Sequence, residues 1–517
     1  MMTNAMKSNN KRIAKNTVFL YVRMILVMFV SLFTSRIVLQ TLGVEDYGIY
    51  NVVGGVASML VFLNSTLSST CQRYFSYELG RNNHEALAEL FKQNITLFVF
   101  FVVCVLFLAE TIGVWFINSY LEIPEKRRIA MNWVFQFSLL TFVVSSITIP
   151  YNALIICHER MSVFALISLI EVGLKLSVAL LIGFDGFDRL IFYAGLMFLS
   201  SLIIAFTYYF YCRRFPESRY SYCLKSDQVK KLISYSGWHF LGSLSVVIRE
   251  QGVNILLNIF FTPAVNAARA IAYQVSNAVN GLTRNFLIAV KPQIYKLYGT
   301  NELQQMHLLI ARSSKMGFIL VAICAFPVIL NTDVLLYLWL GQLPDNTVLF
   351  TQLVLVNSII QSIDVPSIAA ALATDRIKVF EIVTGGLMIF NLPISYLFLR
   401  YGYNPEITIY VSIVLSYITI IIRAYLLENL IYYKALDYLR GVVLPLTFVG
   451  ITVVIPAWFI GVYINSWFLH LIITTTIFIL TLIVISYLVL LNPYERKIVI
   501  DYSRKMIRKL NGRCILF

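Results

Sequence analysis

The chain has 517 residues, of which 59% are hydrophobic and only 13% charged, and it carries a formal net charge of +15. A soluble chain of this length would divide into several domains with polar surfaces; a mean hydropathy of +0.77 excludes that and indicates a polytopic membrane protein. The positive charge is accounted for by membrane topology and attraction to anionic lipid, so nucleic acid is not expected as a partner.

Apolar runs of about 20 residues recur along the whole chain. They predict fourteen membrane-spanning helices, at 14–40, 47–77, 92–117, 129–153, 161–184, 189–212, 235–261, 265–291, 316–339, 347–373, 378–400, 406–433, 441–463 and 468–491. The first run exceeds the length of a signal peptide and lacks a small-residue cleavage site, so it reads as a span. Polar residues lower the hydropathy of 47–77 and 265–291, which makes these two the hardest to recognise by composition.

Cytoplasmic loops retain Lys and Arg. Lys7, Lys11, Arg12 and Lys15 precede or open the first span, and further clusters lie in 213–231, 291–315 and the tail after Pro493. This places both termini in the cytoplasm. The expected organisation is an N-terminal lobe of six spans (1–212), a cytoplasmic linker (213–234), a second six-span lobe (235–433), two additional spans (434–491) and a basic cytoplasmic tail (492–517).

The two lobes are linked by a repeat. The stretch from Ser35 to Asn82 returns in altered form from Asn258 to Asn301, and laying Gly80 on Gly299 aligns the two without gaps. Each copy begins on the same side, which predicts parallel halves related by a pseudo-twofold axis along the membrane normal. The pieces that follow, GRNNHEALAELFKQ and GTNELQQMHLLIARSSK, read as short amphipathic helices lying along the membrane surface.

Within each copy a polar stripe occupies one helical face. Tyr47, Asn51, Gly54, Ser58, Ser65, Ser69, Gln72 and Ser76 form the first; Asn266, Arg269, Tyr273, Asn277, Asn280 and Arg284 form the second. Polar residues in a membrane helix belong against protein or a water-filled cavity. Arg249 and Arg284, with Arg23 as a third member, are the candidates for holding phosphate, because a guanidinium fork can bind its oxygens in pairs. Asn51, Asn266, Tyr273, Asn277 and Asn280 offer the amide, hydroxyl and aromatic partners that a glycan requires.

No phosphate-binding GxxxxGK[ST] loop is present, so ATP is not expected to drive transport. Glu250, Asp364 and Glu381 are the candidates for ion coupling. Asp364 stands two residues before Pro366, whose ring removes a backbone hydrogen bond. A carboxylate of this kind titrates readily only where it lacks a cationic partner. Lys175 lies four residues after Glu171 and predicts an intrahelical pair, while Arg36, Arg73 and Arg269 lie near helix ends, where anchoring at the interface is expected. The cysteines include no CxxC and the five histidines have no metal-ligand spacing, so neither metal nor cofactor is expected.

The segments TLGVEDYGIYNVVGG, FFTPAVNAARAIAYQVSNAV and NFLIAVKPQIYKLYG resemble the polysaccharide-transporter branch of the multidrug/oligosaccharidyl-lipid/polysaccharide exporter superfamily, in particular the Wzx-type O-antigen flippases. The resemblance extends over nearly the whole fourteen-span layout. It implies an all-α, V-shaped, two-lobed protein like the MATE transporters, residing in the bacterial inner membrane. Its cargo would be an undecaprenyl-diphosphate-linked oligosaccharide moved to the outer leaflet, with spans one, two, seven and eight lining the cavity. A polysaccharide polymerase and a chain-length regulator are the implied protein partners, and membrane lipids the surroundings.

Two alternatives stand beside this reading. A polytopic glycosyltransferase or O-antigen polymerase would use the same lipid-linked sugar, but such enzymes carry catalytic residues on a sizeable outer loop, and every predicted outer loop here is short. The chain is therefore not expected to be an enzyme. A MATE-type drug or cation antiporter would need an acidic, aromatic cavity, whereas basic residues outnumber acids on the stripe helices.

Overall fold

A computed structural model of the chain describes residues 4–490 apart from 59–60, 121–123, 184–187, 220, 222–225, 262, 341–342, 462 and 465, together with residue 496. The described residues are almost entirely helical. Lipid offers no hydrogen-bond partners, so apolar chain entering it must satisfy its backbone internally, and the helix does this within a single segment.

In chain order the main helices are α1 (Asn4–Ser58), α2 (Val61–Gly80), α3 (His84–Leu108), α4 (Arg128–Cys157), α5 (Met161–Leu181), α6 (Arg189–Cys212) and α7 (Ser226–Phe260). They continue with α8 (Pro263–Gly299), α9 (Leu303–Leu330), α10 (Thr347–Ala373), α11 (Ile377–Ile389), α12 (Ile407–Ile431), α13 (Leu444–Gly461) and α14 (Trp467–Val489). Among the described residues, twelve helices are long and apolar enough to cross a membrane. The predicted span 265–291 is not among them, because its stripe depresses hydropathy, and the predicted span 47–77 includes residues outside the described ones. Both are helical nonetheless, in the second part of α1, in α2 and in α8.

α1 runs past the end of the first predicted span and bends at Gly43, whose φ of 80° and ψ of 169° are not helical. That backbone conformation is open to glycine at little cost and strained for other residues. α8 begins with Pro263 at its first position, where a missing N–H costs nothing. At 37 residues it is about 55 Å long, more than a bilayer's hydrocarbon core requires.

The surface helices predicted after each stripe helix do not form separately. Asn82 and Asn301 adopt left-handed backbone conformations, with φ of 53° and 59°, and the chain reverses at once. α3 then starts at His84 and α9 at Leu303, each running directly into the following span. Asn tolerates this conformation better than most residues, and once the turn is made the next helix propagates without interruption.

The chain forms two compact units. The first comprises Met1–Leu244, Arg284–Met306 and Ala369–Gly385; the second comprises Ser245–Thr283, His307–Ile368 and Gly386–Phe517. Phe75, Phe91, Leu154, Met161, Leu232 and Ala289 help to form a buried core in the first unit. Val253, Leu257, Ala268, Ala272, Phe350, Val354 and Ile409 do so in the second. Outward-facing positions such as Phe100, Phe107, Ile129 and Trp458 are large, apolar and exposed, as lipid contact requires.

Candidate functional site

The first unit brings the ends of α2 and α8 into reciprocal contact. A Cβ on Gly80 would lie 2.7 Å from the Lys296 carbonyl oxygen, and one on Gly299 would lie 2.5 Å from the Tyr77 oxygen. Subtracting the repeat offset from 296 gives 77, so each glycine meets the partner copy of its counterpart's neighbour. The turns match as well. Arg81, Asn82 and Asn83 donate to the carbonyls of Tyr77, Leu79 and Glu78, and Thr300, Asn301 and Glu302 donate to the corresponding carbonyls of Lys296, Tyr298 and Leu297.

Each stripe helix also engages a loop beside this crossing. The Arg73 side chain is 1% exposed. Its Nε and Nη2 donate to the Ala373 carbonyl at 3.0 and 2.8 Å, and Nη2 pairs with Asp375 at 2.7 Å. The Tyr235 hydroxyl donates to the neighbouring Leu372 carbonyl at 2.6 Å. These are carbonyls at the C-terminus of α10, which have no partner within the helix and carry the negative end of its dipole. The rings of Tyr74 and Tyr77 lie 4.2 and 5.2 Å from the Arg73 guanidinium. Arg73 is thus a buried joint and not an interface anchor.

On the other side, Glu159 follows α4 in a left-handed conformation with φ of 58°. Its carboxylate accepts from Gln293 and Lys296 of α8, both at 2.5 Å. A non-glycine residue held in this conformation is strained unless its surroundings fix it. Here two charge-assisted hydrogen bonds do so.

Of the predicted site residues, Arg249 lines a polar cavity of about 120 Å³ in the second unit. Gln361, Asp364, Asn391, Ser412, Ser416, Thr419 and Arg423 share that lining. Asp364 is 1% exposed and accepts from Arg423 Nη1 at 2.7 Å. Glu250 approaches Arg249 at 3.6 Å but is nearly half exposed and does not line the cavity. Asn266 donates to the Asn254 carbonyl at 3.2 Å. Arg269 is buried, donates to the Asn254 side chain and the Glu250 carbonyl, and lies 4.5 Å over the Tyr273 ring. Asn280 donates to Ser276 and Ser358, whereas Asn277 is exposed.

The remaining candidates belong to the first unit. Arg284 is exposed. Arg23 reaches Asn285 at 3.5 Å and stands 4.7 Å over the Phe164 ring. Glu381 accepts from His239 Nδ1 at 2.8 Å. Asn51 lies on α1, and its side chain falls outside the described residues. The structure therefore gathers Arg249 and Asp364 at one cavity but assigns Arg249 and Arg284 to different compact units. Among the described residues no group of His, Cys, Asp and Glu could hold a metal ion.

No family model and no curated protein matches the chain. Solved structures do. A crystal structure of a MATE mutant aligns at a TM-score of 0.69 and 13% identity, covering 80% of this chain and 96% of its own. The chain has the MATE fold. A mutant of the Vibrio cholerae MATE transporter VcmN aligns at 0.67 with 15% identity, covering 83% and 99%. An outward-facing multidrug resistance MATE family transporter of the MOP superfamily aligns at 0.67 with 13% identity, covering 78% and 93%. The MATE fold confirms an all-α polytopic membrane protein.

Proposed function

We propose that the protein is a transporter for a lipid-linked oligosaccharide, moving an undecaprenyl-diphosphate glycan from the cytoplasmic to the outer leaflet of the inner membrane by alternating access. The observation that carries this reading is the charge of the polar cavity in the second unit. Its carboxylate, Asp364, is already engaged by Arg423, and Arg249, with the half-exposed Glu250 beside it at 3.6 Å, brings the charges of the lining itself to a net positive. A cavity of that sign suits an anionic diphosphate better than an organic cation. Ser412, Ser416, Asn391 and Gln361 add the hydroxyls and amides that a glycan can use.

In this mechanism the lobes 1–212 and 235–433 are the moving bodies and the basic segments face the cytoplasm. The crossing of α2 and α8 then closes the cytoplasmic end, and loading requires Arg73 to release Ala373 and Lys296 to release Glu159. Arg284, exposed on α8 about three turns before this crossing, meets the diphosphate first. Arg249 and the polar cavity follow. The glycan's polymerase and chain-length regulator act on the product in the outer leaflet.

The test is complementation of a flippase-deficient strain, with surface glycan and membrane level measured together. A charged hydrogen bond contributes about 1.5–3 kcal/mol, so Arg284→Ala should lower substrate affinity by roughly ten- to a hundredfold. Because the side chain is exposed, the protein should still insert at its normal level. Arg284→Lys should recover part of the loss, since the charge returns without the fork. Normal glycan from Arg284→Ala at matched low expression would sink the assignment. Resistance to cationic drugs in place of glycan export would favour the antiport suggested by the multidrug transporter of the same fold.

A further inference from the structure

A second cleft lies outside the stripes, in the first unit, immediately beyond the last residues of two spans, Cys157 of α4 and Cys212 of α6. It is an open cleft of about 630 Å³, room for roughly twenty waters. Arg160 and Arg214 present exposed guanidinium groups to it, and Arg214 also lies 5.2 Å over the Tyr211 ring. The floor is rigid. The Ser218 hydroxyl donates to the Cys212 carbonyl at 2.7 Å, folding the chain back after α6, and the His158 ring stacks flat on Phe215 with centroids 4.3 Å apart.

Glu217 is the informative residue here. It is 4% exposed, and its Oε1 is taken by His84 at 2.7 Å. Its Oε2 is buried and has no hydrogen-bond partner among the described residues. A buried carboxylate oxygen without a donor is costly. Burial holds the His158 pKa down to about 4, so that ring is neutral near pH 7 and adds no cation of its own. The cleft thus offers two cationic forks and one unfilled acceptor.

The approach to the cleft is apolar. Phe206 and Phe210 are exposed on α6, one turn apart, on the span that ends at Cys212 just before Arg214. A ligand with a hydrocarbon part would lie along these two rings while its polar end reached Arg214. Its polar end must carry an anion for the arginines and a donor for Glu217.

We propose that this cleft holds the headgroup of a phosphoethanolamine lipid, with the phosphate on Arg160 and Arg214 and the ammonium on Glu217 Oε2. The ammonium matches a carboxylate better than a glycerol hydroxyl does, because both partners are charged. A trimethylated choline has no N–H to give. The site is distinct from the proposed transport path and places a structural lipid against the ends of α4 and α6.

The experiment uses the purified full-length protein in detergent, titrated with phosphatidylethanolamine, phosphatidylcholine and phosphatidylglycerol of equal chain length. Bound lipid is counted by native mass spectrometry and thermal stability is followed in parallel. Phosphatidylethanolamine should bind at least about tenfold more tightly than phosphatidylcholine and raise the melting temperature. The double variant Arg160→Gln/Arg214→Gln alters only exposed side chains, so it should fold normally and lose that binding by about tenfold or more. Equal binding of phosphatidylcholine, preference for phosphatidylglycerol, or undiminished binding by the double variant would overturn the proposal. Equal stabilisation by inorganic phosphate alone would also overturn it, in favour of a free-anion site.

Discussion

Substituting alanine at the crossing glycines should loosen the joint between α2 and α8. The added Cβ would meet a backbone oxygen at 2.7 Å in Gly80→Ala and at 2.5 Å in Gly299→Ala, and backbone cannot rotate aside as a side chain can. Ordinary contact begins near 3.5 Å, so the helices must retreat by roughly 1 Å. Overpacking of this kind costs about 1–3 kcal/mol, which shifts a closed-to-open equilibrium by roughly five- to 150-fold. Ser76 lies beside the crossing on α2 and is fully buried, so it can report the opening. In a background freed of native cysteines, Ser76→Cys should react with a thiol reagent about tenfold faster when either alanine is present. One retreat relieves both overlaps, so the double alanine variant should cost clearly less than the sum of the single ones. Unchanged labelling at wild-type protein levels, or strict additivity, would refute the reasoning.

Asp364→Leu should destabilise the protein by about 3–5 kcal/mol, since it removes the carboxylate paired with the buried Arg423. Asp364→Leu combined with Arg423→Met should recover most of that, as thermal unfolding in detergent can show. His158 gives a pH dependence of definite sign. Its folded pKa near 4 lies below the ordinary 6.5, so the unfolded chain binds the extra proton and stability falls as pH drops from about 6.5 toward 4. His158→Gln should flatten that part of the unfolding profile, and an unaltered slope would assign it elsewhere. Single cysteines at Asn346 and Asn404 should react with an impermeant reagent applied from outside, while those at Lys225 and Met506 should not; the reverse would invert the topology.

Helices were easy to read from apolar runs, and the repeat was legible because its glycines and turn asparagines recur at one offset. The Lys175–Glu171 pair forms at 2.7 Å, as its spacing predicts. What escaped is chiefly long-range. Nothing local in the sequence indicates that Arg73 will find the Ala373 carbonyl, and its position near a helix end points instead to the interface. Asp364 and Arg423 sit on different helices, so a carboxylate that reads as a free titrating group is in fact paired. Glu381 and His239 likewise meet across different helices, which no local pattern indicates. Hydropathy alone misses 265–291 for the reason that makes it interesting, its polar face.

The matched contacts of Gly80 with Lys296 and Gly299 with Tyr77 bear on ancestry. A half-length chain carrying one copy of the motif, paired with its own twin, would set the glycine of each subunit against the same residue of the other. Such an isologous contact closes on itself and needs only one surface to be self-complementary. Fusion of the two genes would free the halves to diverge while the crossing held their register. The present chain has that form: Tyr77 on one side, Lys296 on the other, and the small residue retained on both.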